Sequence, residues 1–187
     1  DAAGAPGPAD LDRLVAEVVR RLGIHVYEVG DRSLQAVTAD LLMERGVTVS
    51  LAESCTAGLA CALLAERPGI SAVLKGAVTA YDNDVKVRLL DVPRDLLERE
   101  GAVGAACAAA MADGCRSRFG TGLALSITGI AGPDGGTPDK PIGTVWLALS
   151  GPDGTVTESV RLAGDRNRIR RMAAFRGLDL IRRRLST

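Results

Sequence analysis

The stretch VTVSLAESCTAGLA, residues 47–60, joins an apolar run directly to a group of polar side chains. VTVSLA has the length and the β-branched content of a buried strand. A helical pattern follows near residues 57–66, so the stretch predicts a strand, a tight turn and a helix. A strand that runs straight into a helix start is the basic unit of α/β proteins.

The same unit recurs along the chain, which predicts an α/β fold. Further strands are expected in VLKGAVTAY and LALSITGIA, and further helices at about 34–46, 84–90 and 104–119, with a final one from near Asp165. IGTVWLALS and TVTESVRLA, joined by GPDG, predict an antiparallel hairpin. The sheet is therefore expected to be mixed.

The bulk composition describes an ordinary globular protein and argues against several function classes. Hydrophobic residues make up 47% of the 187 positions, so one domain with one core is expected. The 23 basic and 23 acidic side chains balance, which disfavours binding to nucleic acid or to a membrane surface. The sequence has neither a membrane-spanning run of ~20 apolar residues nor a signal peptide at its start, and a cytoplasmic location is expected.

The cysteine and histidine pattern predicts no metal site. Cys55, Cys61, Cys107 and Cys115 occur in no CxxC pair, and His25 is the only histidine. A zinc ion would therefore lack ligands. We expect the cysteines to be reduced thiols that serve mostly as small core residues.

The first residues predict a boundary before the main domain. Residues 1–10, rich in Ala, Gly and Pro, are expected to form a flexible linker remnant. Residues 11–32 predict a connecting helix, with apolar residues at helical spacing up to Leu22, and then the short extended piece IHVYEV. The main domain is expected at residues 33–187.

ESCTAG offers two candidate nucleophiles, because reactive side chains gather where strand ends meet helix starts. Ser54 is one, and Cys55 is intrinsically the stronger nucleophile, with a thiol pKa that a helix start would lower. Backbone N–H groups of the turn are candidate donors to an oxyanion. The alternative for Ser54 and Thr56 is capping of the helix, the commoner role of such hydroxyls. Glu53 is expected either to orient a neighbour or to accept N–H groups of a helix end.

A serine nucleophile needs a base, and a lysine fits better than the distant His25. Lys86 is expected in the first helical turn after Tyr81, at the sheet edge where ESCTAG emerges. At an ordinary pKa near 10.4, fewer than about one lysine in a thousand is neutral at pH 7. Burial or a neighbouring cation must therefore lower the pKa. The alternative is an exposed Lys86 paired with Asp82 or Asp84.

Two further segments have the composition of ligand-binding sites. In SITGIAGPDGGTPDKPIGTVW, residues 126–146, the glycines allow close backbone approach, and Thr128 and Thr137 supply hydroxyls. The run matches neither a Walker loop nor a strict GxGxxG motif. GDRNRIRR, residues 164–171, offers Arg166 or Arg170 to a phosphate, and a solvated helix face is the alternative.

The chain resembles the C-terminal domain of the competence/damage-inducible protein CinA, a family whose members act as nicotinamide-nucleotide amidohydrolases. The resemblance runs from about Ser33 to the C-terminus. It rests on AESCTAGL, on residues 81–86 with Asn83, on TGIAGPDGGTPDKPIGTVW and on GDRNRIR, in that order. Many relatives read ESCTGG where this chain has Ala57. We expect this change to spare activity if the position needs no positive φ.

The resemblance implies a three-layer α/β/α sandwich with a mixed, mostly parallel five-stranded sheet. It implies deamidation of nicotinamide mononucleotide to nicotinate mononucleotide and ammonia, with Ser54 as the nucleophile, Lys86 as the base and Tyr81 as the partner of the base. The expected substrate contacts are Glu53, Cys55, Thr56, Asn83, Thr128, Gly129, Gly132, Arg166 and Arg170.

The resemblance implies no metal and no other cofactor, and nicotinamide mononucleotide is the expected small-molecule partner. A homo-oligomer is expected. If the chain is part of a longer protein, the family's N-terminal domain, which resembles molybdopterin-binding proteins, is a further partner. The competing hypothesis is a non-catalytic nucleotide-binding or interaction module, which would use the same loop but would need no nucleophile.

Overall fold

The computed structural model describes residues 7–186, except for the side chain of residue 8. Helices and strands alternate along most of this part of the chain. They are α1 (Pro8–Leu22), α2 (Leu34–Glu44), β1 (Val49–Glu53), α3 (Leu59–Ala65), β2 (Leu74–Thr79), α4 (Asn83–Leu90), α5 (Arg94–Glu100), α6 (Ala105–Phe119), β3 (Leu123–Gly129), β4 (Thr144–Gly151), β5 (Gly154–Arg161) and α7 (Arg166–Leu185).

The five strands form one mixed sheet in the order β2-β1-β3-β4-β5. β1 pairs in parallel with β2 and with β3, whereas β4 is antiparallel to both β3 and β5. β1, β2, β3 and β5 therefore run in the same direction. The hairpin of β4 and β5 turns between Gly151 and Gly154, where GPDG predicts it. The predicted mixed five-stranded sheet is confirmed.

Helices cover both faces of this sheet, which confirms the predicted α/β/α sandwich. α2, α3 and α7 pack on one face, and α4, α5 and α6 form the layer on the other. Side chains alternate between the two faces along each strand. In β1 and β3, Leu51 and Leu125 enter the larger core, where they meet Leu42 of α2 and Leu178 of α7.

Small side chains line the other face, which lets the Ala-rich helix α6 lie close to the sheet. Ala124 belongs to the core on this side, and the Ser126 hydroxyl donates a hydrogen bond to the Ala108 carbonyl of α6 at 2.5 Å. Further along α6, a Cβ atom at Gly114 would lie 1.8 Å from the Leu90 carbonyl oxygen. α6 therefore passes the end of α4 at a distance that only glycine permits.

The parallel strands end together, and this edge positions the site. Glu53, the last residue of β1, lies opposite Thr79 of β2 and Ile127 of β3. The Ser54 N–H donates to the Ile127 carbonyl at 2.9 Å, and the Ala80 N–H donates to the Glu53 carbonyl at 2.8 Å. The chain proceeds from β1 to β2 on one side, and β3 lies on the other. The sheet thus has a switch point between β1 and β3, where open α/β sheets bind ligands.

The segment before α2 differs in detail from the sequence expectation. α1 begins at Pro8, inside the predicted linker of residues 1–10, of which residues 1–6 lie outside the described part. The predicted extended piece is wrong at its start, because Gly23–His25 form a 3₁₀ turn. Buried Arg182 of α7 donates to the Ile24 carbonyl at 2.5 Å. This bond joins the turn to α7 of the main domain.

α1 is amphipathic, and its apolar side chains lie at the surface. The exposed side chains are Leu11, Leu14, Val15, Val18, Val19 and Leu22. They contribute to neither side of the core around the sheet. In the part of the chain that the structure describes, none of the helices is long and apolar enough to span a bilayer.

Candidate active site

A cavity of about 270 Å³ opens at the switch point, close to the lower end of the ~300–1,000 Å³ typical of small-molecule sites. Its walls come from the turn after β1, the start of α4, the end of β3 and the loop that follows β3. Of the predicted site residues, those on the cavity wall are Ser54, Cys55, Tyr81, Asn83, Lys86, Thr128, Gly129, Gly132 and Arg166. Glu53, Thr56 and Arg170 do not line it.

Ser54 is the first residue after β1, and its backbone extends the strand pairing with Ile127. Its side chain lines the cavity and retains 8% exposure. Among residues 7–186, the Ser54 hydroxyl has no hydrogen-bond partner, and it therefore does not cap α3. The hydroxyl is free to meet a ligand.

Glu53 caps the helix instead, through a fully buried carboxylate. Its two oxygens accept hydrogen bonds from the N–H groups of Gly58 at 3.0 Å, Ala60 at 3.1 Å and Cys61 at 2.8 Å. A carboxylate at a helix start satisfies N–H groups that have no partner in the helix itself. Of the two roles expected for Glu53, the structure supports the second. It places the residue beneath the turn and off the cavity wall, in contrast to the predicted substrate contact.

The turn between Ser54 and α3 uses two left-handed residues, Ala57 at φ +53° and Gly58 at φ +91°. Such a φ suits glycine but costs an L-residue about 1–2 kcal/mol. The condition attached to Ala57, that its position needs no positive φ, is therefore not met. The turn forms with Ala57 nonetheless, because Glu53 and the Ser54 carbonyl bond its N–H groups.

Cys55 lines the cavity beside Ser54, but its environment disfavours the thiolate. Burial raises the pKa of the Cys55 thiol to about 12, and the negative charge of Glu53 adds to the rise, while Arg170 and Arg166 oppose it. The expected lowering of this pKa by the helix start is wrong, because desolvation is the larger effect. At neutral pH the thiol is protonated and is a poor nucleophile.

Lys86 lies in the first turn of α4 with only 1% of its surface exposed. Burial lowers the pKa of its amine, and weaker interactions with Cys107, Asp82 and Cys55 oppose that shift. Within residues 7–186, Lys86 forms no ion pair with Asp82 or Asp84, because Asp82 caps α4 and Asp84 pairs with Arg94. The structure therefore supports a buried Lys86, and the alternative prediction of an exposed Lys86 paired with an aspartate is wrong.

The amine of Lys86 and the hydroxyl of Ser54 face one cavity without a hydrogen bond between them. Lys86 Nζ donates to the Tyr81 backbone carbonyl at 3.2 Å. No hydrogen bond joins Lys86 to Ser54 in the described part of the chain. The two groups are thus brought to one cavity but are not bonded to each other.

The phenol of Tyr81 contacts Arg166 and not the lysine. Arg166, at the start of α7, donates to the Tyr81 hydroxyl at 2.7 Å and to the Gly132 carbonyl at 2.6 Å. One guanidinium therefore joins the end of β2 to the glycine-rich loop across the cavity rim. Tyr81 contributes to the lysine site through its backbone carbonyl, whereas the predicted side-chain partnership with Lys86 is absent from this geometry.

Arg170 and Thr56 meet each other away from the cavity wall. Arg170 donates from Nε to the Cys55 carbonyl at 3.1 Å and from Nη2 to the Thr56 carbonyl at 2.9 Å. The Thr56 hydroxyl is buried and has no hydrogen-bond partner among residues 7–186. Neither side chain occupies the position of a substrate contact that the sequence predicts.

The sequence did not indicate one wall of the cavity, the connection between α5 and α6. Ala102 and Val103 line the cavity there, and the Thr128 hydroxyl donates to the Ala102 carbonyl at 2.7 Å. Neither residue has a reactive side chain, so no pattern could identify them. Residues 7–186 contain no group of three or more His, Cys, Asp or Glu side chains arranged to hold a metal ion.

The chain is similar in sequence to known proteins over most of its length. A family model described as the CinA C-terminal domain matches residues 31–185. A CinA-like protein of Dictyoglomus thermophilum is 47% identical over 175 residues, which cover 94% of this chain and 43% of the relative. One of Parasynechococcus marenigrum is 49% identical over 177 residues, covering 94% of this chain and 42% of the relative. The chain spans less than half the length of these curated relatives.

Solved structures show the same fold. A CinA superfamily protein from Klebsiella pneumoniae is 30% identical with a TM-score of 0.79, covering 82% of this chain and 96% of that one. The competence/damage inducible protein CihA from Agrobacterium tumefaciens is 32% identical with a TM-score of 0.78, covering 86% of this chain and 100% of that one.

Replacing Ala57 with glycine is expected to raise the free energy of unfolding by about 0.5–1 kcal/mol, because relief of the left-handed strain exceeds the entropic cost of glycine. Ala62 is the matched control: it is also exposed but lies inside α3, where glycine should cost about 1 kcal/mol. Urea denaturation of both variants measures the two effects. Equal losses of stability would contradict the assignment of strain to Ala57.

Proposed function

This chain belongs to the CinA C-terminal domain family, and on that premise we propose that it is a serine-dependent amide hydrolase that deamidates nicotinamide mononucleotide. The observation that carries the proposal is the presence of a free serine hydroxyl and a buried lysine amine on the walls of one cavity. The buried amine is uncommon by chance, because a lysine is rarely buried without an ion-pair partner.

The proposed nucleophile is Ser54 and not Cys55. A nucleophile has to lose its proton during attack, and a positioned base can take that proton from a serine. The pKa of the Cys55 thiol, raised to about 12 by burial, removes the usual advantage of cysteine. Cys55 is instead a neutral side chain that shapes the wall beside the nucleophile.

The proposed base is the neutral amine of Lys86. Desolvation favours the uncharged form of an amine, which can accept a proton near neutral pH once its pKa has fallen. In the first step Ser54 Oγ attacks the carboxamide carbon and its proton passes to Lys86, directly or through a bridging water. The lysinium then protonates the leaving nitrogen as the carbon–nitrogen bond breaks, and ammonia departs.

The second half of the reaction repeats the proton transfers with water. The nicotinyl group is held as an ester of Ser54, and water attacks the ester carbonyl while Lys86 accepts a proton from it. Expulsion of Ser54 Oγ, with return of that proton, releases nicotinate mononucleotide and restores the starting enzyme. Lys86 thus acts as a base and then as an acid in each half-reaction.

Two sides of the cavity are suited to the remainder of the nucleotide. The loop after β3 presents glycine backbone at Gly132 and Gly135, which allows close approach of a ligand. Arg166 brings a positive charge to the same rim, and a phosphate is the group that an arginine fork recognises best. We therefore assign the phosphate to the Arg166 side and the carboxamide to the Ser54 side.

The proposal predicts opposite outcomes for the two neighbouring nucleophiles. Ser54→Ala is expected to reduce ammonia release from nicotinamide mononucleotide by about 10³-fold or more, and Cys55→Ala should stay within about threefold of the native rate. An enzyme-coupled ammonia assay, with free nicotinamide as the comparison substrate, measures both variants. Near-native turnover by Ser54→Ala would rule out the serine, and loss of turnover in Cys55→Ala would implicate the thiol.

The lysine assignment predicts a pH dependence of both activity and stability. kcat/KM should rise with pH and level off above the lowered pKa of Lys86, and Lys86→Arg, which stays protonated, should lose about 10²–10⁴-fold. Between that pKa and the ordinary value near 10.4, the unfolded chain binds more protons, so native stability should rise with pH.

Lys86→Met is the control for the stability effect because it keeps the apolar stem without the amine. Its stability advantage over the native protein should be larger at pH 7 than near pH 10. The free energy of unfolding, measured by urea denaturation, could instead change with pH equally in both proteins. The buried amine would then titrate as it does in water, which would contradict the assignment.

Calorimetry separates this proposal from a non-catalytic nucleotide-binding module. Tight binding of nicotinamide mononucleotide to the folded native chain, with no ammonia evolved over many hours, would favour the binding module.

A further inference from the structure

The contacts of Arg170 give it a role other than phosphate binding. Its guanidinium reaches from α7 to the turn after β1, where Nε and Nη2 donate to the successive carbonyls of Cys55 and Thr56 at 3.1 and 2.9 Å. The planar fork of arginine can hold two acceptors in a fixed relation, whereas a lysine ammonium is a single point donor. α7 therefore fixes two peptide planes directly after the candidate nucleophile.

Because the peptide bond is planar, a contact that fixes a carbonyl also fixes the direction of the N–H group that follows it. In a trans peptide the carbonyl and the following N–H point in opposite directions. Because the Cys55 carbonyl faces Arg170, the Thr56 N–H points away from the guanidinium. No acceptor for the Thr56 N–H exists among residues 7–186, whereas the Cys55 N–H donates to its own thiol.

The N–H groups that follow in the turn are bonded, which makes that of Thr56 exceptional. The N–H groups of Gly58, Ala60 and Cys61 donate to Glu53, and that of Ala57 donates to the Ser54 carbonyl at 3.1 Å. Buried N–H groups are nearly always paired in native proteins. The unpaired Thr56 N–H, two residues after Ser54, indicates a position kept for an acceptor that the chain does not supply.

We propose that Arg170 is a positioning residue that aims the Thr56 N–H at the oxyanion formed when Ser54 attacks an amide carbonyl. The inference rests on the proposed function, and it assigns an oxyanion donor and the group that orients it. Donors fixed before the reaction need no reorganisation as charge develops on the carbonyl oxygen.

The charge of Arg170 acts in the same direction. Burial is the main cause of the raised pKa of the Cys55 thiol, and Arg170 is close enough to oppose that rise. A cation that favours a negative charge at Cys55 also favours one on an oxyanion held by the same turn. The guanidinium therefore contributes both orientation and positive potential, although it does not line the cavity.

The test compares Arg170→Met, Arg170→Lys and Arg171→Met in steady-state ammonia release from nicotinamide mononucleotide. Arg171 is the adjacent, exposed arginine of α7 and serves as the control. Arg170→Met should lower kcat by about 10- to 100-fold with KM within about threefold, since loss of one oxyanion donor costs about 10²–10³-fold. Arg170→Lys, which can bond one carbonyl, should fall between Arg170→Met and the native protein, and Arg171→Met should match the native protein.

Several outcomes would overturn the inference. A KM raised more than about tenfold with unchanged kcat would make Arg170 a phosphate contact, and unchanged kcat and KM would remove it from the site. If Arg170→Met does not fold, as judged by circular dichroism, Arg170→Lys decides the same question.

A crystallographic arm separates this inference from the proposed function. If the native protein and Arg171→Met release no ammonia, the proposed function fails. Structures of the native protein and the Arg170 variants then decide the positioning role. A rotated or disordered peptide between Cys55 and Thr56 in Arg170→Met supports it, and an unchanged peptide contradicts it.

Discussion

The site depends on one buried carboxylate at the end of the central strand. Glu53 ends β1, is fully buried, and accepts hydrogen bonds from three N–H groups at the start of α3. Hydrogen bonds to a charged acceptor are stronger than neutral ones, and burial removes the competing water. This arrangement forces the chain to turn within a few residues, and Ser54, the next residue, is thereby held at the mouth of the switch point.

The two sides of the turn are held by opposite charges. Glu53 binds its N–H groups from the strand, and Arg170 binds its carbonyl groups from α7. The core between α2, α3, α7 and the sheet keeps these elements in register. A residue with an unfavourable φ, Ala57, is tolerated in the turn because the surrounding bonds determine its conformation.

Burial favours the uncharged form of two titratable side chains of the cavity. The same desolvation that keeps the Cys55 thiol protonated favours the neutral amine of Lys86. A thiol and an amine of ordinary pKa would both be charged to some degree near pH 9. On the proposed mechanism, the choice of Ser54 over Cys55 therefore comes from the environment and not from the residue types.

Much of the fold followed from the sequence because it depends on local patterns. The alternation of apolar strands and helices predicted the α/β class, and GPDG predicted the β4–β5 hairpin, which the structure confirms. Parallel strands that end together explain why Ser54, Lys86 and the loop after β3 could be expected at one edge. These features need only periodicity and turn chemistry.

The finer features of the site did not follow, because they depend on distant contacts. Arg170 and Glu53 carry groups that suit a ligand, and nothing local shows that the Cys55 carbonyl or the α3 N–H groups occupy them instead. Tyr81 meets Arg166 across 85 positions of sequence, and Ala102 lines the cavity with no reactive group. The left-handed φ of Ala57 could only be left open, because alanine rarely adopts it.

The most direct measurement is the effect of Glu53→Gln on stability and turnover together. The amide keeps the shape of the side chain, but it has one acceptor oxygen and places an NH₂ group against helix N–H donors. If Glu53 holds the turn, the variant should lose about 2–4 kcal/mol in the free energy of unfolding. Ammonia release by the protein that remains folded should fall by at least about tenfold. An unfolding free energy and a turnover both indistinguishable from the native values would contradict this role of Glu53.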